Sequence, residues 1–286
     1  MRGVFFVAAL ASVFAVGMIC VFLLGSGIPT IKEIGVANFL LGTDWSPSNV
    51  PPSFGILPMI VGSIIVTFGA VVIGVPIGIL SAVYLANSCP SRLYRFLKPG
   101  VDLLAGIPSV VYGFFGMAAL VPLFDSSMLS ASILLGIMIL PTIITLSETS
   151  LRAVPGELYE GAVALGARHY RSVFGVVLPA AKSGVIAAVV LGLGRAIGET
   201  MAVIMVAGNQ PRMPEGLLEG VRTMTANIVL EMGYASGIHR QALIATGATL
   251  FIFILLIDLS VPLITRGHSG SRLLRLLGRA RKGAAT

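Results

Sequence analysis

Between Gly3 and Leu24 the chain carries no charged side chain. The hydrocarbon core of a bilayer is about 30 Å thick, and an α-helix needs about 20 apolar residues to cross it. This run is long enough, and comparable runs recur. Spans are predicted at about residues 3–24, 56–86, 101–124, 130–146, 183–207 and 243–265. An all-α, polytopic membrane protein with six transmembrane helices is therefore expected. Composition agrees: 56% of the 286 residues are hydrophobic and 11% are charged, with a mean hydropathy of +0.98. A soluble domain has about 25% charged residues. Disorder, nucleic-acid binding by a soluble domain and most cytosolic enzyme classes are excluded on that ground.

The first run follows Arg2, as a signal peptide would, but a signal core is about 7–15 residues long, and no small-x-small cleavage site ends this one. An uncleaved first span is expected. Cys20 does not suggest a lipoprotein, because Ile19 is too large for the position before a lipidated cysteine. With Cys89 in a polar loop, a disulfide framework is not expected either. His169, His239 and His268 have no metal-ligand spacing, so neither a metal nor a cofactor is predicted. Pro58 and Pro76, with Gly74 and Gly78 beside the latter, predict kinks in the second span.

The charge distribution predicts orientation. Of 19 Lys and Arg residues, 14 fall at Arg2, in the loops at 92–98 and 147–182, and in the tail at 266–286. Four lie on the opposite side, at Lys32, Arg212, Arg222 and Arg240, and Arg195 lies within a span. Positively charged loops stay in the cytoplasm, which puts both termini there. The basic tail is expected to hold the last helix against anionic headgroups, and no nucleic-acid partner is implied.

The loop at 147–182 is patterned as structure. Pro155 can open a helix, with Glu157 and Glu160 near its positive end. Leu158, Ala162 and Leu165 recur at helical spacing, and Gly166 suits a left-handed stop. A second helical pattern holds Tyr170, Val173, Phe174 and Val177 on one side until Leu178-Pro179 breaks it. Two short helices joined at Gly166 are predicted. Such an elbow can rest on the membrane surface or dock a partner.

The fifth span carries two ionisable residues, Arg195 and Glu199, four positions apart and so on one helical face. A charge at the bilayer centre costs about 2.5–3.5 kcal/mol on the insertion scale, and marks a functional residue by default. Gly192, Gly194 and Gly198 clear space for a helix, water or an anion. Two readings remain open. The pair can fix packing, or Arg195 can offer its planar fork to a tetrahedral oxyanion and exchange between Glu199 and the passing ligand. Ser109 and Tyr112 in the third span can offer hydroxyls to the same ligand or bond a neighbouring helix. Asp258 and Asp102 read as packing or interfacial residues, Glu148 as an anchor of the elbow, and His169 as a solvated or docking residue.

Glu160-Gly161-Ala162, then Gly166, then Leu178-Pro179 resembles the EAA loop of ABC-importer permeases, with Gly161 in place of the first alanine. The string from Gly192 to Asn209, GLGRAIGETMAVIMVAGN, resembles the fifth span of phosphate-specific importer permeases of the PstC type. Leu104 to Gly113, LAGIPSVVYG, and Leu151 to Pro155 are similar to strings of the same subfamily. The PstA type fits less well at Thr200-Met-Ala-Val and Gly208-Asn209. The resemblance implies a type I ABC-importer permease fold and half of a phosphate pathway in the cell membrane, with Arg195 and Glu199 taking part in transport. It further implies that Glu160, Gly161, Ala162, Gly166 and Pro179 belong to a coupling loop seated on a nucleotide-binding subunit. The implied partners are a homologous PstA-type permease, a PstB-type ATP-binding dimer and a PstS-type phosphate-binding protein. The chain has no G-x-x-x-x-G-K-[ST] loop, and no acid, base or nucleophile constellation, so ATP hydrolysis is expected on a separate subunit. Permeation of another oxyanion (sulfate or molybdate) and a passive anion channel are the alternatives.

Overall fold

The computed structural model describes residues 1–269, without the side chains of Arg2 and of residues 260–269. The expected basic tail beyond Ser269 lies outside the described residues. In chain order the elements are α1 (Arg2–Ile34), α2 (Val36–Leu41), the two-residue strands β1 (Trp45–Ser46) and β2 (Ser53–Phe54), α3 (Leu57–Asn87), α4 (Ser91–Gly106), α5 (Ser109–Ala119), α6 (Val121–Phe124), α7 (Met128–Arg152), α8 (Gly156–Ala164), α9 (His169–Ser172), α10 (Leu178–Ala180), α11 (Lys182–Gly198), α12 (Met201–Val206), α13 (Met224–Glu231) and α14 (Gly237–Ser269). A π-turn at Val173–Val177 joins α9 to α10.

Among the described residues, α1, α3, α7 and α14 are each long and apolar enough to cross a membrane. Two further candidates are bent pairs: α4 with α5 at 98°, and His169–Ala180 with α11 at 71°. The third predicted span is thus interrupted at Ile107-Pro108. The fifth is divided at Glu199-Thr200, between α11 and α12. The fourth continues past 146 to Arg152, which places Ser147 and Glu148 in the helix and shortens the elbow.

The chain divides into two compact units. The first comprises 1–66, 113–131 and 199–253. Its core gathers Phe39, Trp45, Phe54, Ile56 and Met59 with Met224 and Leu243. β1 and β2 form an antiparallel hairpin, Trp45 opposite Phe54. A buried carboxylate ties this hairpin to α13: Glu231 accepts from Trp45 Nε1 at 2.9 Å, from Arg222 Nη1 at 2.6 Å, and lies 2.8 Å from His239 Nε2. Burying a carboxylate is tolerable only with such partners.

The second unit comprises 67–112, 132–198 and the described residues from 254 on. Here α3 lies close against α7. A Cβ added at Gly74 would fall 2.8 Å from the Gly136 carbonyl oxygen and from Ile139 Cδ1, and one at Gly78 2.8 Å from Ile143 Cγ2. These glycines let two backbones approach, as small residues do between membrane helices. Pro58 falls in the first turn of α3, where no donor is missed, and Pro76 sits inside the continuous helix. The crossing predicts that Gly74→Ala destabilises the purified protein by about 1–3 kcal/mol, the cost of overpacking. A thermal melt in detergent measures it, and an unchanged midpoint would contradict this geometry.

Candidate functional site

The elbow follows directly from α7. Pro155 precedes α8, Glu157 sits in its first turn, and Leu165 ends it. Gly166 has φ +84°, its N–H bonds the Val163 carbonyl at 2.9 Å, and Ala167 N–H bonds that of Ala162 at 3.1 Å. This is the Schellman stop that satisfies the last helical carbonyls. The second helix does not break at Leu178-Pro179 as expected. Leu178 N–H instead reaches the Val173 carbonyl, so a π-turn carries the chain past the proline and the bend falls at Ala181.

The inner side of the elbow is apolar. Val173, Val177, Ala181 and Val185 pack with Leu151 and with Ala82 and Val83 of α3, and Tyr159 lies against them. His169 is exposed but not simply solvated. Its Nδ1 lies 2.7 Å from Tyr159 Oη and its Nε2 lies 3.1 Å from Ser88 Oγ, so it clips both elbow helices to the end of α3. The outer side is open. Glu160 and Gly161 are exposed, as are Leu158, Val163, Leu165 and Tyr170. A Cβ at Gly161 would meet nothing within 4 Å, so the departure from alanine there is not imposed by this chain's own packing. Ala162 is half-buried and Pro179 exposed.

The second cluster lies around α11. Arg195 is exposed and donates from Nη1 to Thr142 Oγ1 of α7 at 3.3 Å. The same-face pairing expected with Glu199 presumes a continuous helix, and α11 stops at Gly198. The Glu199 carboxylate instead accepts the Ala202 N–H at 3.2 Å, and its carbonyl accepts Thr225 Oγ1 at 3.1 Å. Glu199 therefore caps α12. Another acid faces α11: Asp258 Oδ1 would lie 3.8 Å from a Cβ at Gly194. Gly192 lets α11 approach α7, since its Cβ would fall 3.0 Å from Ile143 Cγ1.

At the other break, Pro108 has no N–H to give the Leu104 carbonyl, its helical partner. The Leu104 carbonyl accepts the Ile107 N–H at 3.4 Å, and the hydroxyl of Tyr112, 5% exposed, adds a shorter bond to it at 2.8 Å. Its role is thus first to close the break. Tyr112 also lies within electrostatic reach of Arg195. Ser109 is half-buried and opens α5.

Residues 74–269 match the family described as binding-protein-dependent transport system inner membrane component. The chain belongs to that family. Curated relatives agree over most of its length. It is 38% identical over 265 residues to the probable ABC transporter permease protein YqgH of Bacillus subtilis (strain 168), covering 87% of this chain and 86% of the relative. It is 35% identical over 242 residues to the phosphate transport system permease protein PstC of Pasteurella multocida (strain Pm70), 75% of each. Among solved structures, inward facing conformations of the MetNI methionine ABC transporter superpose with a TM-score of 0.63 at 22% identity, covering 74% of this chain and 95% of that one. That likeness concerns the fold. As the membrane component of a binding-protein-dependent transport system, the chain is a multi-pass ABC-importer permease.

The two elbow glycines should respond oppositely. Gly161→Ala introduces no clash and improves helix propensity by about 1 kcal/mol. Gly166→Ala forces a left-handed alanine and weakens the elbow by about 1–2 kcal/mol. Amide hydrogen exchange over 156–180 reads both. Equal protection in the two variants would contradict the assigned stop.

Proposed function

We propose that this permease is the PstC-type half of an ATP-driven importer of inorganic phosphate. A homologous PstA-type chain would complete the pathway, a PstB-type ATP-binding dimer would receive the elbow, and a PstS-type protein would deliver phosphate. Relatives that carry the PstC name at 32–35% identity support the substrate. The excess of basic residues in the first half of α4 and from Arg152 through the elbow to Lys182 supports cytoplasmic termini in the cell membrane.

The observation that carries the reading is Arg195. A guanidinium exposed on a helix inside the hydrocarbon layer is unfavourable against lipid, so that face of α11 belongs against another chain or a water-filled path. Phosphate in such a path meets a planar donor fork beside the Thr142 hydroxyl, within electrostatic reach of Tyr112. With its carboxylate engaged at Ala202, Glu199 does not neutralise the arginine as an adjacent helical partner would.

In the proposed cycle, closure of the ATP-binding dimer pushes on α8, whose open face holds Glu160 and Gly161 and whose stop is Gly166. The packed inner side of the elbow makes it a stiff lever. The experiment is radiolabelled phosphate uptake in vesicles that carry the full complex, with and without ATP and with sulfate or molybdate as competitors. Arg195→Gln should lower uptake about tenfold or more, since a charged hydrogen bond contributes about 1.5–3 kcal/mol, while the complex still assembles. Full uptake by this variant would overturn the direct role, and loss of assembly would assign Arg195 to packing.

A further inference from the structure

The helix that leads into the Pro108 break is held in an unusual way. α4 buries none of its residues. Between its apolar residues Leu97 and Val101 and the facing Leu80, Tyr84 and Ile144 lies a groove of about 370 Å³. Apolar packing therefore does not fix α4 along this face.

Polar contacts do. Glu148 of α7 is only 2% exposed. Its Oε1 accepts from Tyr94 Oη of α4 at 2.7 Å and from Arg152 Nε at 2.8 Å. Its Oε2 faces Lys98 Nζ of α4 at 3.5 Å. Lys98 also donates to Thr145 Oγ1 of α7 at 3.0 Å and pairs with Asp102 at 3.0 Å. Arg152 stacks over the Tyr94 ring at 4.7 Å and donates from Nη2 to the Leu85 carbonyl at 2.9 Å, which satisfies one of the orphan acceptors at the end of α3. One buried carboxylate thus joins α4 to the last turns of α7.

Those last turns are the root of the elbow. Leu151 and Val154 belong to its apolar cluster, and α8 begins four residues after Arg152. At its far end α4 meets the 98° bend at Pro108, closed by the Tyr112 bond to Leu104.

We infer that Glu148 is a positioning residue that transmits displacement of the elbow to α4, and through α4 to the Pro108 break. The inference rests on the proposed coupling to an ATP-binding subunit. The elbow's own apolar cluster reaches α7, α3 and α11 but no residue of α4. The charged latch makes α4 follow, and the loosely filled groove lets α4 shift without repacking a core.

The test is the number of phosphate ions imported per ATP hydrolysed, in proteoliposomes that hold the full complex. Glu148→Gln keeps the shape and loses the charge that Lys98 and Arg152 share. It should lower the ratio at least about threefold, within the range of coupling mutations, with ATP hydrolysis retained. The pair Glu148→Gln with Lys98→Met removes the α4 cation that faced Glu148, while Arg152 keeps its bond to the Leu85 carbonyl; it should restore part of the thermal stability while the ratio stays low. Return of the ratio together with stability would reduce Glu148 to a packing residue and overturn the inference, as would an unchanged ratio in the single variant. Tyr94→Phe removes one hydrogen bond and no charge, so assembly should persist. A lowered ratio in this variant supports the latch, and a wild-type ratio overturns it. The wild-type complex reports separately on the proposed function: hydrolysis without phosphate import would refute that reading, whereas a loss seen only in the variants concerns the latch.

Discussion

Inside hydrocarbon every main-chain N–H and C=O must find a partner within the protein, and an unsatisfied group costs several kcal/mol. The rest of the structure depends on how this constraint is met at two interruptions. At Pro108 the Leu104 carbonyl is satisfied by the Ile107 N–H at 3.4 Å and the Tyr112 hydroxyl at 2.8 Å. At Glu199-Thr200 the Glu199 carboxylate caps Ala202, and Thr225 donates to the Glu199 carbonyl. Irregular backbone at membrane depth is tolerated only where it is buried in protein or lines a water-filled cavity. The breaks and Arg195 therefore need protein or a water-filled cavity beside them, whereas the uninterrupted α1 and α3 are what lipid alone would select.

Local features were readable from the chain, and long-range ones were not. The elbow was readable because its determinants are neighbours: Pro155, Glu157 and Gly166 specify a start, a first turn and a left-handed stop within about three turns. The division of the fifth span was not. A periodic reading of Arg195 and Glu199 assumes that the helix continues, and the cap that stops it uses a hydroxyl from Thr225. Pro179 misled by two residues, since a π-turn carries the helix past it and the 71° bend falls at Ala181. Gly74 and Gly78 were visible as small residues, but only the facing Gly136, Ile139 and Ile143 show that they serve a helix crossing. The Trp45–Glu231–Arg222 cluster joins residues far apart in sequence, and no spacing rule could have found it.

The two buried carboxylates show why so few charges suffice. Glu231 fixes the hairpin and α13 in one unit, and Glu148 fixes α4 to α7 in the other. Glu231 is held by donors on both oxygens, and Glu148 by two donors on Oε1 with the Lys98 cation 3.5 Å from Oε2; breaking such a set leaves an uncompensated buried charge. In a chain whose helices face lipid, apolar contact gives little preference between one helix arrangement and another. Hydrogen-bonded charge clusters and glycine crossings then specify which helices lie together. The elbow fits the same scheme, with an apolar inner side that makes it rigid and an open outer side that a partner can cover.

On the proposed function, this membrane component does no work alone and is driven through its elbow by a nucleotide-consuming partner. The most direct measurement compares phosphate flux into liposomes that hold this chain by itself with flux into liposomes that hold the complete complex and ATP. The account predicts flux only in the second preparation, abolished when ATP is withheld. Flux of equal rate through the isolated chain, indifferent to nucleotide, would contradict it.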